Sequence, residues 1–396
     1  MSQQENNIVY TQKNLPSKLL TIGVVILIVG LVLAGASYLI DPVRASFNSL
    51  ISMMFGLSVG LGILFIIGLE HLTGAVWSVP FRRVAEYLGG ILYIVPILAI
   101  PVFLNMHGVF SWSDPAVIAK DHVLQGKVPY LNTGFFYIRF ALAFIVLWFF
   151  FTMFKRNSIK MDSNPSESYV KSSKILSAVM MPFFAIFTTI MAVDWLMSVV
   201  PRWFSTIFGV YYFAGSFLAG LGALTLVVIM LNKRGYLAKG LGGDNYYSLG
   251  AFMFAITNFW SYIAFSQYML IWYANLPEET FWFIPRLHTS WVWMTAGLPL
   301  IKFIIPYIFI LSQPSKKDPK RLTIAAIMIM FGHYYDLFWL VMPAYHKEGF
   351  FFSWNELAFP ILLIGATITY FAIVTKNKNL IPVNDPKLPQ GINFHL

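Results

Sequence analysis

The chain has 396 residues, of which 58% are hydrophobic and 11% charged, whereas a soluble protein carries about a quarter charged residues. That composition excludes a water-soluble globular enzyme. The absence of cysteine excludes thiolate-held iron–sulfur clusters, covalently attached c-type haem, thiolate metal sites and disulfides. The net charge of +10 would suit nucleic acid, but the cations are spread over short loops between apolar runs, so the reading is orientation and lipid contact with no nucleic-acid partner.

A spanning helix needs ~20 apolar residues, and the apolar runs predict an all-α integral membrane protein of about ten spans. Residues 1–18 show no short apolar core followed by a cleavage site, so the first helix is expected to be a permanent anchor. The spans are expected at 19–40, 48–78, 84–105, 132–154, 175–199, 205–231, 246–272, 286–312, 322–343 and 353–375. The longest loop, 106–131, contains "SWSDPAVIAKDHVLQGK". Ser113 as cap, Pro115 in the first turn and Gly126 at the end predict one small surface helix there. Positive charge sorts the loops. Lys13 and Lys18, Arg82 and Arg83, the run Lys155 to Lys174, Lys233 to Lys239, Lys316 to Arg321 and Lys376 to Lys387 share one side. The other side holds only Arg44, Lys120, Lys127, Arg202, Arg286 and Lys347. The positive-inside rule then places both termini, 1–18 and 376–396, in the cytoplasm.

An internal repeat follows. The fifth helix ends "DWLMSVVP", Asp194 to Pro201, and the ninth "DLFWLVMP", Asp336 to Pro343. The second helix carries Gly60 and Gly62 in "VGLGILF", and the sixth Gly220 and Gly222 in "AGLGALT". The offset is four helices in both cases. This predicts two tandem four-helix bundles, 48–199 and 205–343, related by an axis along the membrane normal, with 19–40 and 353–375 peripheral.

Ionisable groups inside spans are costly and are functional candidates by default. By the repeat, Asp194 and Asp336 lie at one depth, ~10 Å from the outer helix ends. His333, three residues before Asp336, shares its face. Arg139 lies near the depth of Asp194, so the two form either a fixed ion pair or a carrier beside a cation. Glu70 and His71 are expected ~18 Å from Arg82, roughly mid-membrane. His288, Thr295 and Lys302, spaced seven apart, predict a polar stripe down the eighth helix, in which Lys302 either neutralises an acid or relays protons. Glu70, His71, Asp194, His333, Asp336 and Lys302 together resemble a proton path; Arg139 and His288 are candidates for an ion pair or a quinone vicinity. Haem b would need axial histidines on facing helices at matched depth, and His71, His288 and His333 do not offer that. No metal site is expected. Tryptophans near the expected outer interface, Trp195, Trp203, Trp291, Trp293, Trp339 and Trp354, read as belt residues, some suited to a quinone-ring pocket.

The strings "MAVDWLMSVVPRWFSTIFGVYYFAGSF", "GHYYDLFWLVMP" and "RLHTSWVWMTAG" resemble the NrfD/polysulfide-reductase membrane subunits, and more closely the second NrfD-like subunit of bacterial alternative complex III, a quinol:cytochrome c oxidoreductase. The resemblance spans roughly the first to the tenth helix. It implies a multi-pass subunit of the bacterial inner membrane without a redox centre of its own, with quinone (menaquinone or ubiquinone) and lipids as the ligands to expect. The implied partners are a sister NrfD-like subunit, a periplasmic iron–sulfur subunit, multihaem and monohaem cytochromes c, small membrane or lipoprotein subunits, and a haem–copper oxidase. It carries over only Asp194 and Asp336, as proton-path acids. A stand-alone secondary transporter and a purely structural scaffold are the alternatives, since tandem repeats and buried charges suit them as well.

Overall fold

A computed structural model describes residues 14–396; most of the expected N-terminal tail, Lys13 included, lies outside them. Among the described residues the chain is 79% helical, has no strand, and contains ten helices long and apolar enough to span a membrane. It is an all-α integral membrane protein. The spans are Ser17–Ile40, Pro42–Thr73, Val79–Leu104, Thr133–Ser163, Glu167–Val199, Phe208–Lys233, Gly243–Ala274, Val292–Phe309, Pro319–Tyr345 and Asn355–Val374. The end of the bundle carrying the lysine-rich connections is called the basic end below.

The second and sixth spans form the centre of the molecule. They cross where a Cβ on Gly62 would stand 2.2 Å from the Ser216 carbonyl oxygen and one on Gly220 would stand 2.6 Å from the Gly62 carbonyl carbon. Small residues let backbones meet this closely, so this pair of glycines is required by one helix crossing. The second span packs against the third, fifth and ninth, and the sixth against the fifth, seventh and ninth. The first span lies along the tenth through Gly23, Gly30 and Gly365; much of its remaining apolar surface, Val32 and Leu39 among it, is exposed.

Several boundaries differ from expectation, each for a local reason. The second span stops at Thr73 because Gly74 turns the chain at φ 69°, a left-handed conformation glycine adopts without a Cβ clash. The third span begins at Val79, so Arg82 and Arg83 sit inside its first turns, buried, rather than in a loop. It then tightens into 3₁₀ turns at Gly89–Tyr93 and Val95–Ala99; Pro96, inside the second, removes a backbone donor, and Pro101 lies in the α-helical turn that follows. The fourth span runs on to Ser163 and the fifth starts at Glu167, so most of the connection 155–174 is helical. In place of one surface helix, 106–131 forms three short ones, Met106–Val109, Pro115–Ile118 and His122–Lys127. Asp114, not Ser113, caps the second, accepting from the Ala116 N–H at 2.8 Å; Ser113 instead donates to the Phe110 carbonyl, and Gly126 lies within the third.

Beyond the tenth span the chain folds back across the basic end. Ile381 and Leu388 pack with Val79 and Ala238. Asp385 pairs with Arg82 at 3.0 Å, and Lys387 donates to the Gly74 carbonyl at 2.8 Å.

Candidate functional site: a buried lysine–aspartate cluster beside an aromatic cavity

The ninth span presents His333 and Asp336 one turn apart towards the eighth. The eighth span is interrupted. Between Pro299 and Pro306 it widens into a π turn, Leu300–Ile304, in which the Ile305 N–H reaches back to the Leu300 carbonyl. Pro306 has no N–H to give the Lys302 carbonyl, and the wider turn accommodates the lost bond. Lys302 sits at the middle of this turn and is fully buried. Space for it comes from glycine: a Cβ on Gly332 would stand 3.0 Å from Lys302 Cα, and one on Gly215 would stand 2.7 Å from His333 Cε1.

Lys302 Nζ lies 2.5 Å from Asp336 Oδ2 and 3.0 Å from His333 Nδ1. Tyr211, from the sixth span, donates its hydroxyl to Asp336 Oδ1. The ammonium also lies 4.2 Å from the Trp260 ring centroid, a cation–π distance. A buried ion pair offsets its desolvation only when its remaining lone pairs and protons are used. Here both carboxylate oxygens accept, and the ammonium meets a carboxylate, an imidazole nitrogen and an aromatic face. With Nδ1 accepting from Lys302, the imidazole proton falls on Nε2, which is buried with no partner among the described residues.

Tyr211 and Trp260 also line the inner wall of a cavity of about 540 Å³ between the seventh and eighth spans, within the size range of small-molecule sites. Tyr268, Phe283, Leu298 and Trp339 are among its other walls. Its polar fittings are few. Trp339 Nε1 donates to Thr295 Oγ1 at 2.8 Å, and that hydroxyl donates to the Arg286 carbonyl at 2.8 Å. Arg286 is buried and has no acid partner among the described residues. Its guanidinium is held by the carbonyls of Trp282, Trp339 and Leu340 and lies 3.3 Å from the Trp282 ring centroid. The Trp339 carbonyl is free for it because Pro343, four residues on, carries no N–H.

The fourth and fifth spans meet through a different pair. Arg139 grips Asp194 with two bonds, Nε to Oδ2 at 2.6 Å and Nη2 to Oδ1 at 3.1 Å. Its third nitrogen donates to the Tyr130 carbonyl at 2.8 Å, and its guanidinium lies 3.9 Å from the Tyr130 ring centroid and 4.4 Å from that of Phe135. Burial pushes the Tyr130 phenol up to about 12, so this ring stays neutral at working pH. The carboxylate of Asp194 has no hydrogen-bonded histidine among the described residues; its other side-chain partner is the Tyr130 hydroxyl.

The remaining candidates lie elsewhere. Glu70 is in the last turn of the second span, 3.5 Å from Arg82, so it belongs to the basic end and not to mid-membrane; the early stop at Gly74 moved it. Its neighbours are ion pairs, Arg82 with Asp385 and Arg83 with Glu86 and Asp162. His71 stacks on Phe154 and does not share the Lys302 cluster. His288 is exposed, because the helix breaks at Thr289, whose backbone is extended; the expected stripe therefore holds for Thr295 and Lys302 but not for His288. Tyr211 and Trp260 escaped sequence reasoning, since an aromatic in an apolar span gives no sign of its partner. So did the buried pair Arg44–Glu356 at 2.7 Å, joining the second and tenth spans. Among the described residues no group of three or more His, Cys, Asp or Glu could hold a metal ion.

No family model matches this chain, and no curated protein is significantly similar to it.

Proposed function

We propose that this chain is a membrane subunit of a quinol:cytochrome c oxidoreductase of the alternative complex III type, which accepts or conducts protons at the Lys302–Asp336–His333 cluster while a quinol occupies the adjoining cavity. The observation that carries the reading is the double position of Tyr211, whose ring lines the cavity and whose hydroxyl bonds Asp336. A quinol ring in an aromatic slot has two hydroxyl protons to lose on oxidation. Groups for a proton then follow in hydrogen-bonded order, Asp336 joining Tyr211 to Lys302, and Lys302 joining His333. The electrons leave to redox centres on partner subunits, since the chain has no cysteine. The sequence resemblance supports the choice of complex, its cytochrome and iron–sulfur partners and the bacterial inner membrane, and the distribution of lysine and arginine over the loops supports both termini in the cytoplasm.

A secondary transporter is the second reading. The break in the eighth span at a buried lysine favours it, because transporters place discontinuous helices around their sites. Gentle solubilisation from the native membrane, followed by a haem spectrum and subunit identification, separates the two. The oxidoreductase reading expects stoichiometric c-type cytochromes and an iron–sulfur subunit. Recovery of the chain by itself, with no haem absorbance, would favour the transporter.

A further inference from the structure

The sixth and ninth spans touch closely at Gly222, where an added Cβ would stand 3.2 Å from Met330 Cγ and 3.3 Å from the Ala326 carbonyl oxygen. One turn nearer the basic end they part. Leu226, Val227 and Met230 on one side and Thr323 and Ile327 on the other enclose a groove of about 490 Å³, with Lys233 and Arg234 at its basic end. Met230 and Ile327 are 43% and 51% exposed, so the groove opens on the apolar surface of the bundle.

Two cations close the groove at the basic end, where charged side chains are held in different ways and Lys239 and Lys320, outside the groove lining, also have no side-chain partner among the described residues. Arg82, Arg83 and Lys317 at the same end have carboxylate partners, and Lys387 and Lys316 donate to backbone carbonyls. The side chains of Lys233 and Arg234 have neither an ion pair nor a hydrogen bond among the described residues, and both are exposed. An apolar slot at acyl-chain depth, closed at the interface by two unneutralised cations, matches a molecule with an acyl tail and an anionic head. Basic pockets between spans are the form in which anionic lipid headgroups are recognised, and an arginine beside a lysine offers one planar fork and one point charge to a phosphate.

We propose that the groove between the sixth and ninth spans is a binding site for an anionic phospholipid, its headgroup phosphate held by Lys233 and Arg234 and one acyl chain lying along Leu226, Met230 and Ile327. The ninth span also carries His333 and Asp336, so an occupied groove would brace the span on which the buried cluster is built.

The test is native mass spectrometry and thermal unfolding of the full-length protein in mild detergent, titrated with phosphatidylglycerol, with phosphatidylcholine and with inorganic phosphate, for the wild type and for Lys233→Gln/Arg234→Gln. The expected result is retention of phosphatidylglycerol at least fivefold above phosphatidylcholine, a rise in unfolding temperature with phosphatidylglycerol only, and loss of both in the double variant. A second variant, Ile327→Trp, fills the groove and leaves the cations in place; it should lose the lipid preference too. Equal retention of the two lipids by the wild type would overturn the proposal. So would an unfolding temperature raised equally by inorganic phosphate, which would make the site one for a free anion, or a preference unchanged in both variants.

Discussion

The fourth and fifth spans are joined by Arg139 and Asp194, the eighth and ninth by Lys302 and Asp336. Each aspartate stands seven residues before a proline, Pro201 or Pro343, but the cations differ. Arginine stays protonated in proteins and grips a carboxylate with a planar fork. Lysine is a point charge whose protonation changes readily on burial. The Arg139 pair is closed by a carbonyl and two aromatic rings; the Tyr130 hydroxyl also bonds Asp194, but the pair is held by a bidentate guanidinium and has no hydrogen-bonded histidine among the described residues. The Lys302 pair sits in a π turn with an imidazole on one side and a tyrosine on the other, and that tyrosine lines a cavity. The difference teaches that a buried acid is identified as structural or chemical by its partners, not by its burial: Asp194 and Asp336 are equally enclosed.

The largest effect that would sharpen this contrast is expected at Asp194. Asp194→Asn leaves the Arg139 guanidinium buried and unpaired, at a cost of ~3–5 kcal/mol. The yield of folded protein should collapse, and Arg139→Gln in the same chain should partly restore it; normal yield from the single variant would break the comparison. Asp336→Asn should cost less, about 1–3 kcal/mol, because Lys302 keeps the His333 nitrogen and the Trp260 ring as partners. Thermal unfolding of the two asparagine variants side by side reads the difference, and equal destabilisation would remove the distinction between the pairs. Gly215→Ala puts a methyl 2.7 Å from His333 Cε1; displacing the imidazole should cost about 1–3 kcal/mol and lower any proton-linked turnover. Tyr211→Phe keeps the ring in the cavity wall and deletes one bond to a carboxylate, worth ~1.5–3 kcal/mol. It should leave ligand binding intact while slowing turnover, and unchanged turnover would detach the cavity from the cluster.

The smallest effect is expected at the surface pair Arg202–Asp121, 2.8 Å apart. The Arg202 hydrogen bond holds the Asp121 carboxyl below its ordinary 3.8. Whatever the pair contributes is thus present above that ordinary value and is lost only as pH falls through the lowered one. Asp121→Asn should leave the unfolding temperature at pH 7 unchanged within error; a drop comparable to that of Asp194→Asn would mean that exposed and buried pairs act alike.

Much of this contrast is legible in the sequence. A lone aspartate and a lone arginine at one depth in adjacent spans have few other partners, so Asp194 and Arg139 can be paired from their positions. His333 and Asp336 share a face at any helical geometry. Lys302 is harder, because prolines flank it and the π turn between them shifts the register on which a partner would be predicted. Tyr211 and Trp260 are silent in the sequence, as their significance lies wholly in which spans pack together. Glu70 shows the opposite failure. The apolar run continues past residue 74, and only the positive φ of Gly74 ends the helix there and carries the acid to the basic end. His288 fails for a related reason, since a seven-residue spacing has meaning only while the helix is unbroken.

The central claim is tested most directly by quinol-to-cytochrome c turnover and proton release in the purified complex carrying Asp336→Asn, with assembly verified by its subunit and haem content. The account predicts a complex that assembles at wild-type level while turnover and the protons released fall at least tenfold. Wild-type turnover and proton release from an assembled Asp336→Asn complex would contradict it.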